Sequence, residues 1–343
     1  MLFRLTLFLL WITLPTFGQP GQRPTPNGDV WRDTNGNPIH AHGGGMLYHE
    51  GIYYWYGEYK KGPTRLVPGQ DWECYRVEAG GVACYQSTDL QRWTFKGVVL
   101  PPNTTDPAHD LHTSKVTERP KVIYNAKTRQ FVLWLHVDSE DYSYARTGVA
   151  VSDKPTGPFR YLGSLRPNNQ MSRDMTLFVD DDGRAYHIGA SENNQTMLIS
   201  QLSADYLQLA GVHRRVLVGQ HREAPAMFGH KGRYYLITSG CTGWTPNPAT
   251  WAEADSVLGD WTQRGNPCVG SGADSTFGAQ PTFVLPLANK PGQFLFMADR
   301  WNKNDLENSR YAWFPLSMQL APASASIRPV IRGPEQPADR PTR

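Results

Sequence analysis

The chain has 343 residues, with 34 Lys and Arg against 31 Asp and Glu, and charged residues make up only 19% of it. Soluble domains average ~25% charge, and the 12% aromatic content here excludes a disordered chain. With 32 Gly and 27 Pro it cannot be a coiled coil or helical bundle, and a net charge of +3 without any basic run leaves no footprint for nucleic acid.

Residues 1–18 read as a secretory signal: Arg4, an apolar run over 5–14, then small or turn-forming residues. The run is too short to span a bilayer, so a secreted or periplasmic protein without a membrane anchor is expected. Residues 19–26 (QPGQRPTP) form a linker. Four cysteines, an even number in an exported chain, suit two disulfides. Cys74 with Cys84 would close a short loop and Cys241 with Cys268 a longer one, out of three conceivable pairings.

From there one pattern recurs: a turn, a Gly or basic residue, then a strand of aromatic and β-branched residues. It reads HEGIYYWYGE at 49–58, TRQFVLWLHVD at 128–138, DDGRAYHIGAS at 181–191, HKGRYYLITSG at 230–240 and KPGQFLFMADR at 290–300. A second pattern, an acidic turn followed by an aromatic and a closing Gly, follows several of these: STDLQRWTFKG, SDKPTGPFRYLG and EADSVLGDWTQRG. Repeats of about 60 residues, with about four strands each, predict an all-β, five-bladed β-propeller over 27–318 rather than a sandwich. SRYAWFPL at 309–316 is expected to supply the last strand, and 319–343 to be a Pro-rich surface tail.

A propeller aims the beginnings of its innermost strands at a central funnel, so polar residues there need a reason. Glu118 in TERPKVIYN, Asp174 in SRDMTLFV, Glu223 in HREAPAMF and Gln280 in FGAQPTFV each precede an apolar strand. Blade one offers His40 and His42 in PIHAHGGGM instead. A single Glu before Pro is usually a solvated turn residue; recurrence at equivalent positions favours a shared pocket. His40-x-His42 lacks a further ligand, Asp180-Asp181-Asp182-Gly183 reads as a hairpin turn, and Gly43-Gly44-Gly45 has no helix with which to cradle phosphate; neither metal nor cofactor is expected. Carboxylates converging among aromatics suit glycoside hydrolysis, in which one acid stays protonated to serve the leaving oxygen. Trp244 and Tyr142 could stack on a sugar, whereas Trp55, inside a strand, reads as core.

These motifs, with HAHGGGMLYHEGIYYWYGE, SGCTGWTPN and GADSTFGAQPTFVLPL, resemble glycoside hydrolase family 43, and within it the exo-β-1,3-galactanase branch, over nearly all of the mature chain. The resemblance implies a five-bladed propeller and inversion at the anomeric carbon. It implies Glu223 as general acid, Asp174 as the residue that tunes and orients it, and Glu118 as a carboxylate on the sugar hydroxyls. Glu58, Tyr142, Asn194, Thr242 and Trp244 would be further sugar contacts. The wider family places an Asp base at the start of blade one, where this chain has no carboxylate; in the galactanase branch a glutamine equivalent to Gln280 is thought to hold the water, through its imidic tautomer, and a histidine-held water is the alternative. The implied function is exo-release of galactose, with or without a β-1,6 branch, from β-1,3-galactan or arabinogalactan by a monomeric enzyme. An α-L-arabinofuranosidase or β-xylosidase of the same fold, or a non-catalytic carbohydrate-binding propeller, are the alternatives. Asn103-x-Thr105 and Asn194-x-Thr196 are glycosylation sequons.

Overall fold

The computed structural model describes residues 25–288, 290–320 and 327–333, so the signal segment and most of the linker lie outside the described residues. The five aromatic runs that recur in the sequence are the second strands of five antiparallel sheets. Blade one is His42–His49, Ile52–Glu58, Val82–Ser87 and Thr94–Leu100. Blade two is Val116–Asn125, Gln130–Asp138, Arg146–Ser152 and Arg160–Leu165. Blade three is Met175–Val179, Ala185–Ser191, Thr196–Leu202 and Leu209–Val216, and blade four is Arg222–His230, Arg233–Gly240, Thr250–Ala254 and Thr262–Gln263. Blade five runs Gln280–Pro286, Gln293–Arg300, Arg310–Leu320 and Ile327–Arg332, with Cys268–Val269 added in parallel at its edge. The first strand of each blade lines the axis, which gives the five-bladed propeller the repeats imply.

Strand alternation explains how the blades stack, because successive side chains leave a strand on opposite faces. In Ile52–Glu58, Tyr54 and Tyr56 pack toward blade two with Leu133 and Leu135. Tyr53 and Trp55 face the other way, against Met297, Tyr311 and Trp313 of blade five. The apolar core is correspondingly divided into clusters, one at each blade interface. Trp55 is core, as its strand position suggested. The ring is latched by the N-terminal segment: Asn27 exchanges two hydrogen bonds with the Trp313 backbone, and Ala41 donates to the Tyr311 hydroxyl, which donates to Ile39.

Two expectations fail. The segment beyond 318 is not all tail, since Ile327–Arg332 pairs with Arg310–Leu320 as the fourth strand of blade five. Pro329 is tolerated because the added Cys268–Val269 strand pairs only with Ile331 and Arg332, past the residue that lacks an N–H. Nor do the cysteines bond: Cys74, Cys84, Cys241 and Cys268 are all free thiols. Cys84 sits in the cluster between blades one and two and Cys268 in that between blades four and five, while Cys74 meets a carbonyl of the Glu140 loop and Cys241 lies beside Glu223. Among the described residues no helix is long and apolar enough to cross a membrane.

Candidate active site

Three innermost strands carry the same local device. A register shift interrupts the pairing at His42/Gly45, Glu118/Lys121 and Glu223/Ala226, and the bulged residue has positive φ: Gly43 at 59°, Arg119 at 53° and Ala224 at 51°. Such bulges re-aim side chains and backbone groups. Each bulge donates its N–H to a carboxylate of the preceding blade: Gly43 to Asp299 at 2.6 Å, Arg119 to Glu58 at 3.1 Å and Ala224 to Asp174 at 3.0 Å. The E-x-P sequences at 118–120 and 223–225 are therefore bulges that turn their Glu toward the axis. Gly43 is required, since a Cβ there would lie 2.0 Å from Glu58 Oε1.

Arg119 is the hub. Its Nε and Nη2 hold Asp174 at 3.0 and 2.8 Å, Nη2 also donates to Gln280 Oε1 at 2.6 Å, and Nη1 donates to the Pro281 carbonyl at 3.1 Å. Gln280 is fixed at both ends. Its Oε1 also accepts from Trp301 at 2.8 Å, and its Nε2 donates to Glu223 Oε1 at 2.9 Å and to Ser239 at 3.3 Å. Asn194 donates to the other oxygen of Glu223 at 3.4 Å. Glu118 accepts from the Tyr142 hydroxyl at 3.0 Å on one oxygen and lies 3.3 Å from His136 on the other. Glu58 is buried in an ion pair with Lys60 at 2.6 Å.

Environment divides the carboxyl groups. Burial, and then the charge of Asp174, push Glu223 up to about 8, although Arg119 opposes them. Burial works the same way on Glu118, but the close contact from His136 and the charges of Lys60, His136 and Arg119 outweigh it and hold Glu118 below the ordinary carboxylate range. One acid thus keeps its proton at neutral pH while its neighbour is an obligate acceptor, the separation that proton-transfer chemistry uses. Ligand atoms of Glu118, His136 and Asp174 lie within 4.8 Å of one another, as compact as a cation site, but Arg119 and Tyr142 already engage the two carboxylates.

Comparison with known proteins places this geometry. The family model described as glycosyl hydrolases family 43 matches residues 47–280. The chain belongs to glycosyl hydrolase family 43. Among solved structures, a GH43 β-1,3-galactosidase with galactodeoxynojirimycin is 43% identical at a TM-score of 0.81, over 90% of this chain and 99% of that one. A second GH43 β-1,3-galactosidase is 37% identical at 0.81, over 90% of this chain and 61% of that one. An exo-β-1,3-galactanase from Phanerochaete chrysosporium with galactose is 37% identical at 0.77, over 90% and 66%. The chain thus spans less than two thirds of the length of the latter two. No curated protein matches it.

In this glycoside hydrolase the structure brings together Glu58, Glu118, Tyr142, Asp174, Asn194, Glu223 and Gln280. Trp244 joins them from above; its Nε1 donates to the Glu73 carbonyl at 2.6 Å and its ring lies 6.3 Å from Trp301. Thr242 is not brought in: its hydroxyl donates to Thr245 and accepts from Asn247 within its own loop. Asn194, beside Glu223, is a poor place for a glycan.

Sequence reasoning missed Arg119, Asp299, His136 and a roof. The roof is the segment 59–81 between the second and third strands of blade one, which carries Trp72 to within 5.5 Å of Tyr142 and 6.4 Å of Trp244. Lys303 of blade five grips Glu73, and Arg65 grips Glu140 of the blade-two loop. Beside it lies a cleft lined by Glu58, Lys60, Arg76, Glu118 and Trp244, and a second cleft beside Trp244 is lined by Ser239, Gln280, Asp299 and Trp301. A larger, apolar cavity of about 500 Å³ lies toward the other end of the inner strands, lined by Met46, Val122, Leu177 and Met227, and contains no carboxylate.

The raised Glu223 makes a stability prediction. Between the carboxyl's ordinary value of 4.5 and about 8, the folded enzyme keeps a proton that the unfolded chain releases. The contribution is therefore complete below pH 4.5 and is lost as pH rises through 8. Thermal melts from pH 5 to 9 should show the wild type losing more stability with rising pH than Glu223→Gln, which has no proton to lose there. Parallel curves would mean that Glu223 is not perturbed. Asp299, pushed up to about 7 chiefly by burial, acts in the same direction in both proteins and cancels in the difference.

Proposed function

We propose that this enzyme is an inverting, exo-acting β-1,3-galactanase that releases galactose, with or without a β-1,6 branch, from the galactan backbone of arabinogalactan-type glycans. The observation that carries the proposal is Gln280 hydrogen-bonded to Glu223 in a pocket whose blade-one strand enters through His40-Ala41-His42, without a carboxylate. The likeness to the β-1,3-galactosidases and the exo-β-1,3-galactanase supports the substrate. Glu223 is the general acid, with Oε1 held by Gln280 and the proton on Oε2. Asp174 raises and orients that acid. Glu118 accepts hydrogen bonds from the sugar hydroxyls, with Glu58, Tyr142, Asn194 and Trp244 around them.

Gln280 holds the attacking water once its Nε2 releases Ser239, the longer of its two contacts at 3.3 Å. Its imidic form carries a proton on Oε1, where Arg119 and Trp301 now both donate, so that route requires one of them to let go. His42, the histidine alternative, is buried with both ring nitrogens unpartnered, 3.9 Å from Asp299. Its value is pushed well below normal, first by burial and then by the charge of Lys60, so it is a neutral acceptor. The start of the chain supports export to the periplasm or beyond.

The test is incubation with linear β-1,3-galactan while product anomers are followed by NMR. α-Galactose should appear first. A β-anomer first, or no galactose at all, overturns the proposal. Release from aryl arabinofuranosides or xylosides alone would support the other activity of the fold, and tight galactan binding without turnover the non-catalytic reading.

A further inference from the structure

We infer that His136 is a positioning residue for the reaction, an imidazolium clamped between Asp138 and Glu118 that keeps Glu118 an acceptor for sugar hydroxyls. His136 lies on Gln130–Asp138 directly across from Glu118, and is buried. Its Nε2 is 2.9 Å from Asp138 Oδ2. Its Nδ1 is 3.3 Å from Glu118 Oε2, an ion-pair contact rather than an aligned hydrogen bond. A neutral imidazole has one N–H and one lone pair, so between two carboxylates it would set lone pair against lone pair on one side. Only the cation serves both.

Neither carboxylate can swing away. Asp138 Oδ1 accepts the backbone N–H groups of Ser139 at 2.9 Å and Ala145 at 2.7 Å. Glu118 Oε1 is held by Tyr142. The other charged and titratable groups that face this pair are Asp174 across the axis, the Tyr142 ring 6.0 Å away, Lys60 and Arg119, whose charges act on Glu118, and Glu58 and Cys74, which also interact with Glu118, Glu58 as a like charge already paired with Lys60. Burial alone would discharge His136; the hydrogen bond to Asp138, the close contact with Glu118 and the charges of both carboxylates reverse that and raise it to about 9. A buried histidine in FVLWLHVD otherwise reads as core. The difference is that a core imidazole would be neutral, and its loss would lower stability without touching substrate binding.

The inference rests on the galactanase reading only in its kinetic arm. In wild-type protein labelled with ¹⁵N-histidine, the His136 signals, identified by their disappearance in His136→Asn, should show both ring nitrogens protonated at pH 7.5. A neutral tautomer at that pH overturns the inference, whatever the substrate proves to be. On β-1,3-galactan, His136→Asn should raise KM by about 10–100-fold, the worth of a hydrogen bond to a charged group, with a smaller change in kcat. The acidic limb of kcat/KM should move to higher pH as Glu118 loses its cation. An unchanged KM and acidic limb overturn it too. If His136→Asn does not fold, Asp138→Asn supplies both readouts, and there the ring of His136 should turn neutral at pH 7.5.

Discussion

Glu223→Gln should lower kcat on β-1,3-galactan by about 10²–10⁴-fold, the usual contribution of general acid catalysis. The substitution preserves shape, and the new amide oxygen can still accept from Gln280 Nε2 in place of Glu223 Oε1. What it removes is the proton. A sugar alkoxide leaves badly without one, whereas fluoride leaves without help, so on β-galactosyl fluoride the same variant should stay within about 10-fold of wild type. The basic limb of the wild-type kcat/KM profile should fall near pH 8, where Glu223 gives up its proton, and should vanish on the fluoride in the variant. Kinetics on both substrates decide the matter. Equal losses on galactan and fluoride would show that Glu223 binds sugar rather than delivering a proton, and the role of acid would pass to another group.

The repeated outline of this fold lies close to the surface of the sequence because each blade spells out its own second strand. RYYLITSG and QFLFMADR are buried in the same way because they occupy the same place in their sheets. The site is legible for a related reason. Glu118 and Glu223 precede x-Pro and an apolar run because that is how the chain writes an axial bulge, and Gln280 precedes Pro281 at the matching position. What could not be read is non-local. In TERPKV, Arg119 is simply the residue after the glutamate, and its reach to blades three and five exists only once the ring closes. Asp299 ends a second strand and looks like a turn residue, yet it accepts the Gly43 N–H across the ring seam. The glycine triplet is explained by packing: side chains at Gly44 and Gly45 would strike the Tyr56 carbonyl at 2.0 Å and Lys121 Cδ at 2.4 Å. Cysteine parity misled because it counts residues without placing them, and the four thiols lie in different surroundings.

Arg119→Met should cost both fold and function, more than any other single change outside the reacting groups. Methionine fills much of the arginine stem's volume, so the effect isolates the guanidinium. Without it Asp174, 15% exposed, keeps the Ala224 N–H but loses its countercharge. Stripping one partner from a buried ion pair costs about 3–5 kcal/mol, and urea unfolding should register a loss of that order. Activity should fall further than stability alone implies. Gln280 Oε1 retains only Trp301, its amide is free to turn, and displacement of positioned groups by about 1 Å costs about 10²-fold. The direction of the pH shift is fixed as well: Arg119 pulls the Glu223 value down, so removing it carries the basic limb of kcat/KM to higher pH. Arg119→Lys separates charge from shape. It keeps a cation near Asp174 and so most of the folding energy, but a point charge cannot span Asp174, Gln280 and the Pro281 carbonyl at once, and kcat should remain depressed. If Arg119→Met melts like wild type and its basic limb does not move, the hub is ornamental and the pocket is organised by something else.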